Sequence, residues 1–157
     1  MTGPMSKDTD VDEQSDASTD SDPIIIGAAG SDDARRWASV AAAAAAGKTD
    51  EDTVVLEVAP ILAIVEYFVI TAGRNPRQVR TLADEIEEQV VRAGGPKPKR
   101  IEGRDALQWL LMDYGDFVVH VFHEEMRSFY ALEKLWSDVP RVDWRAETGT
   151  APVPDDA

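Results

Sequence analysis

The chain has 157 residues, no cysteine, and a net charge of −14 from 30 acidic and 16 basic side chains. That length holds one domain with tails, and the absence of cysteine excludes disulfides and thiolate metal sites. No apolar run approaches the ~20 residues of a membrane-spanning helix.

Residues 1–30 carry a net charge of −6 and are rich in Asp, Ser and Thr, with Ile24–Ile26 as the one apolar cluster. Such a segment buries too little surface to offset its ordering entropy, so it is expected to be a disordered acidic tail. It is unlike the basic, then apolar start of a signal peptide, and this favours a cytoplasmic protein. A helix is expected over 32–46, with Ser31 as N-cap, Asp32 and Asp33 in its first turn and Gly47 at its end. Gly47-Lys48-Thr49 resembles the close of a phosphate-binding loop. Ala42 stands where the first glycine belongs, however, and the triplet follows a helix instead of leading into one.

Two β-branched, apolar runs, Thr53–Val58 and Glu66–Ala72, read as strands. Pro60 separates them, and the connection Ala59–Val65 is too apolar to lie open in water. The clearest helix spans 76–93: Asn75 is its N-cap, Pro76 takes the first position, and Gln78 stands at the capping-box position. Val79, Leu82, Ala83, Ile86, Val90 and Ala93 form its buried stripe, and Gly94-Gly95-Pro96 stops it.

Five bases follow within thirteen residues: Arg92, Lys97, Lys99, Arg100 and Arg104. Lys and Pro protect exposed sheet edges, so a short edge strand explains them; contact with RNA phosphate is the alternative. No aromatic is interleaved to stack bases, and this favours the first explanation.

The stretch from Trp109 to Trp136 reads as strand, tight turn, strand, helix. Trp109–Met112 and Phe117–Phe122 are apolar, and the polar break between them holds Gly115, with Tyr-Gly as the expected loop. Beyond Glu124 the apolar spacing changes to three and four, putting Phe129, Leu132, Leu135 and Trp136 on one face of a helix. Trp109, Leu111 and Asp113 share one strand face, and Leu110, Met112 and Tyr114 the other. Both faces are apolar enough to be covered, by helices on one side and a partner on the other. Val139–Arg145 reads as irregular, and residues 146–157, with a net charge of −3, as a second disordered acidic tail. The folded domain is therefore expected over 31–145. Its element order favours an α/β (α+β-like) fold, with one mixed sheet flanked by helices.

Candidate chemistry is sparse. His120 and His123 point to opposite faces of a regular strand and cannot share a metal. Asp113 and Asp116 could hold Mg²⁺, but turns select Asp for backbone hydrogen bonding without any metal. No nucleophile, base and orienting group assemble, so no enzyme activity and no cofactor are expected. The aromatic residues around the hairpin are of the types that anchor protein interfaces.

From about Asp32 to Trp136 the chain resembles the ribosomal silencing factor family (RsfS, or Iojap-related). DTVVLEV, EYFVITAGRNPRQVRTLADEI, IEG, WLLMDYGDFVVHVF and EEMRSFYALEKLW occur here in the family's order. The resemblance implies a translational repressor without enzymatic activity. It would bind the large ribosomal subunit through universal ribosomal protein number fourteen, block joining with the small subunit when nutrients are short, and form a homodimer when free. It also implies a nucleotidyltransferase-like fold lacking the catalytic Gly-Ser and Asp-x-Asp signatures. Trp109 matches the family's interface tryptophan, Asp113, Tyr114, Gly115 and Asp116 its turn, His120 its strand histidine, and Tyr130 and Glu133 its helix motif. With Leu111 beside Trp109, these form the expected partner-binding set. The chain departs from the family at Glu66, where Asp is usual, and in the more apolar stretch 60–65. The competing readings are a nucleotidyltransferase-like enzyme using Asp113 and Asp116, and a general interaction module.

Overall fold

The computed structural model describes residues 23–149, with side chains from Asp33 onward. Two units divide the chain, Met1–Asp33 and Ala34–Ala157, and the sheet lies wholly in the second. Residues 1–22 and 150–157, which hold most of both expected tails, lie outside the described residues.

Five strands form one mixed sheet: β1 (Val54–Glu57), β2 (Tyr67–Gly73), β3 (Arg100–Glu102), β4 (Trp109–Asp113) and β5 (Phe117–His123). Their spatial order is β1-β2-β5-β4-β3. The β2–β5 pair is parallel and the other three pairs of this sheet are antiparallel. Helix α2 (Pro76–Arg92) carries the chain from β2 to the far edge, and β3, β4 and β5 then step back to the centre. This places β5 between two neighbours, where six of its seven residues are buried.

The sheet's two faces are packed differently. On the inner face, Ala34, Ala38, Ala41, Ala42 and Ala45 of α1 (Pro23–Ala46) join Val79, Leu82, Ile86 and Val90 of α2 against Val69, Leu110, Met112, Val119 and Val121. Alanines three and four apart give α1 a flat side on which backbone can approach sheet closely. On the outer face, Phe68, Ile70, Val118 and Phe122 form a second core under Met126, Leu132 and Trp136, with Trp109 and Leu111 at its margin. Each fully buried aliphatic or aromatic side chain contributes roughly 1.5–3 kcal/mol, so both cores are needed for stability.

The structure revises several local expectations. Helix α1 begins at Pro23, ahead of the expected cap at Ser31, so part of the expected tail is helical. Proline suits a first helical position, and no further proline follows to stop the helix. The hairpin loop is Gly115-Asp116 and not Tyr-Gly: Tyr114 N–H donates to Phe117 O at 3.0 Å, and Gly115 has φ +93°. Glycine at the first central position is what a two-residue II′ loop requires. At the C-terminus, residues 139–143 form no helix or strand, as expected, but they are tied to the sheet. Val142 N–H donates to Val55 O and Glu57 N–H to Pro140 O, both at 2.9 Å, covering the edge of β1. Helix α5 (Trp144–Thr148) then runs into the expected tail, with the buried Trp144 indole donating to Thr53 O at 3.0 Å.

The helix expected after Glu124 is two helices, α3 (Glu124–Tyr130) and α4 (Leu132–Leu135), separated by Ala131 at φ 47°, ψ 49°. Arg127 accounts for the break. Its guanidinium meets Glu133 at 2.7 Å and donates to the Asp52 carbonyl, tying α3 both to α4 and to the chain before β1. Phe129 and Leu135 are exposed, while Leu132 and Trp136 pack on the outer core. A left-handed backbone costs an L-residue ~1–2 kcal/mol, partly offset by the lower flexibility of alanine in the unfolded chain. Ala131→Gly is therefore expected to stabilise the fold by about 0.5–1 kcal/mol in chemical denaturation, and a loss of stability would contradict this account.

Candidate functional site

The candidate site forms where β4, β5 and α3 meet on the outer face. In the β4–β5 register Trp109 lies opposite Phe122, Leu111 opposite His120, and Asp113 opposite Val118. Trp109, Leu111 and Asp113 thus share one face, as strand alternation requires. The Trp109 ring lies 4.9 Å from Phe122 and 4.7 Å from Tyr130. Its Nε1–H donates to His120 Nδ1 at 3.1 Å. Phe68 of β2 meets His120 edge-on at 4.7 Å and Trp136 at 5.3 Å. An aromatic row therefore runs across the face from Tyr130 to Trp136, through Trp109, His120 and Phe68.

This row is buried in its middle and open at one end. His120 is buried, Trp109 and Leu111 are half-buried, and Tyr130 and Phe129 are 45% and 75% exposed. Burial lowers the His120 pKa to about 4, so the ring is neutral near pH 7. An indole N–H can only donate, so Nδ1 must accept and the ring's own proton resides on Nε2. Phe129 packs edge-on against Tyr130 at 5.1 Å and joins the open end of the row. Its helical spacing marks it as a core residue, yet it is exposed.

The remaining expected residues divide into separate groups. Asp113, Gly115 and Asp116 lie at the hairpin end. Asp113 Oδ1 accepts from Gly115 N–H at 2.8 Å and Oδ2 faces Arg100 at 3.5 Å, while Asp116 is exposed. Glu133 is engaged by Arg127, so its carboxylate holds α4 in place. Tyr114 corrects the expected set: it faces the inner core, stacked on Phe117 at 4.5 Å and 5% exposed, away from Trp109. Its hydroxyl is buried without a hydrogen-bond partner, and burial raises its pKa well above the usual phenol range. Tyr114→Phe is expected to stabilise the fold by about 1 kcal/mol, because it removes a polar group that lost its water partners. Urea denaturation checks this, and a destabilised variant would reveal an essential role for the hydroxyl.

The apolar connection before β2 also reaches this face. Leu62 and Val65 pack on the outer core, whereas Ile61 and Ile64 are 63% and 82% exposed. Among the described residues no group of three His, Asp or Glu side chains could hold a metal ion, and no helix is long and apolar enough to cross a membrane.

Comparison with known proteins agrees with this architecture. Residues 31–156 match the family model for "Ribosomal silencing factor during starvation". The ribosomal silencing factor RsfS of Bacillus subtilis is 44% identical over 104 residues, covering 66% of this chain and 87% of that protein. Mitochondrial assembly of ribosomal large subunit protein 1 of Mus musculus is 31% identical over 107 residues, covering 67% of this chain and 47% of its own. A crystal structure of protein CV0518 from Chromobacterium violaceum superimposes with a TM-score of 0.61 at 27% identity, covering 66% of this chain and 85% of that one. The family match runs through the sheet, both covering layers and the Trp109 face, and the chain belongs to the ribosomal silencing factors.

Proposed function

We propose that this protein binds the large ribosomal subunit through the Trp109 face, on universal ribosomal protein number fourteen, and so blocks joining with the small subunit when nutrients are short. The observation that carries the reading is the half-open aromatic group of Trp109, Tyr130 and Phe129 on an otherwise packed sheet face. Aromatic side chains seated in a rigid surface are the residues that dominate protein-protein binding energy. Exposed Asp116, at the hairpin end of the same two strands, suits a basic partner surface. The name of the mouse relative, an assembly factor of the large subunit, agrees with the choice of subunit. A nucleotidyltransferase-like activity is less well supported, because the Asp113 carboxylate is taken up by the turn and by Arg100.

Lys97, Lys99 and Arg104 are exposed at the β3 edge and add a minor contact with ribosomal RNA phosphate; Arg100 is partly neutralised by Glu102 and Asp113. In the absence of ribosomes the protein is a cytoplasmic homodimer, formed through part of the same apolar face. The deciding experiment is sedimentation of purified protein with separated subunits. Co-migration with the large subunit and loss of subunit joining are expected. Co-migration with the small subunit alone, or with neither, would overturn the proposal.

A further inference from the structure

We infer that His120 is the positioning residue of this surface: it aims the Trp109 indole at the partner and makes no partner contact itself. The inference deepens the reading that the Trp109 face docks on the large subunit, and rests on it. Trp109 and His120 are diagonal neighbours on β4 and β5, because Trp109 pairs with Phe122 and Leu111 with His120. Diagonal positions on one sheet face are within reach of aromatic side chains. Phe122 and Tyr130 pack on the indole, while the 3.1 Å bond to Nδ1 selects which edge of the ring faces inward. The exposed remainder of the indole is thereby presented in one orientation before any partner arrives.

The other nitrogen of the same ring shows what this arrangement costs the fold. With Nδ1 accepting from Trp109, Nε2 carries the proton, yet Nε2 is buried and has no hydrogen-bond partner. A purely structural residue at this position, between Ile70 and Leu111 in the sheet and against Phe68, would be better served by an apolar side chain. The imidazole's useful feature here is the single acceptor it offers to Trp109. Ordering an aromatic side chain before binding spares part of the entropy otherwise lost on association, about three- to tenfold in affinity.

The test compares full-length wild type with Trp109→Phe, His120→Phe and His120→Asn. Four tryptophans give four indole N–H resonances, and Trp109→Phe identifies the one of interest. In wild type this resonance is expected at a hydrogen-bonded, downfield position with slow solvent exchange. His120→Phe should move it to the position of a hydrated indole and weaken large-subunit binding about three- to tenfold, while thermal stability is kept or raised. His120→Asn, which places an acceptor oxygen near the site of Nδ1, should recover both the resonance and most of the affinity. An unmoved resonance in His120→Phe, unchanged affinity beside a moved one, or a collapse of stability would each overturn the inference. If wild type fails to bind large subunits, the docking reading fails and this inference about partner binding with it. If wild type binds and only the His120 arms fail, the docking reading stands and the positioning role falls.

Discussion

Trp109→Ala is expected to weaken binding to the large subunit by about thirtyfold or more, the effect of removing ~2 kcal/mol from a central aromatic anchor. The indole bridges two environments: one side rests on Phe122 and the outer core, and the rest meets solvent beside Tyr130 and Phe129. Its removal takes away contact area at the point where the face is open. It does not touch the inner core, where α1 and α2 cover the sheet, so the fold should survive with reduced stability. Tyr114→Phe provides the matched control, because Tyr114 belongs to the same hairpin but faces the opposite way. A binding titration with isolated large subunits measures both variants. Trp109→Ala binding within threefold of wild type, or Tyr114→Phe losing as much as Trp109→Ala, would remove this face from the interface.

Much of the fold is legible in the sequence wherever local chemistry decides structure. The start of α2 shows this: Gln78 N–H donates to Asn75 Oδ1 at 2.8 Å, and Gln78 Oε1 accepts from Arg74 N–H at 2.7 Å. These bonds link residues three and four apart, so Asn-Pro-x-Gln displays them directly. Strand alternation likewise suffices, from the order of residues alone, to put Trp109, Leu111 and Asp113 on one face. What depends on contacts distant in sequence is not legible. The break at Ala131 follows from Arg127 reaching Asp52, 75 residues away, and a smooth apolar spacing hides it. Trp144 reads as part of an irregular segment because its acceptor, Thr53 O, lies 91 residues earlier.

The candidate site shows the same division. Motif matching brings Tyr114 and Glu133 into the expected set, but a motif records neighbours along the chain and not the direction of a side chain. Moving the loop by one residue, to Gly115-Asp116, settles the β4–β5 register, and that register places His120 diagonal to Trp109. Glu133 is structural because Arg127, six residues earlier and across the break, faces it.

Acidification is expected to remove on the order of 3 kcal/mol of stability through His120 alone, lost progressively from about pH 6.5 down to about pH 4. Burial lowers the folded-state pKa to about 4, against 6.5 for an unperturbed histidine. Between these values the unfolded chain binds a proton that the folded one does not, so unfolding stability must fall as the pH falls. Above pH 6.5 both states hold a neutral ring and the contribution is fully present. Below about pH 4 both are protonated and no further loss arises from this residue. Protonation also places a proton on Nδ1, which can then no longer accept from Trp109 Nε1–H, so the lost stability and the released indole share one cause. The difference between wild type and His120→Phe isolates the histidine: the variant should gain relative stability steadily as the pH is lowered through this window. Parallel stability curves for the two proteins from pH 7 to pH 4 would show that His120 is protonated as readily in the folded protein as in the unfolded chain, and would contradict the buried, neutral imidazole at the centre of the aromatic row.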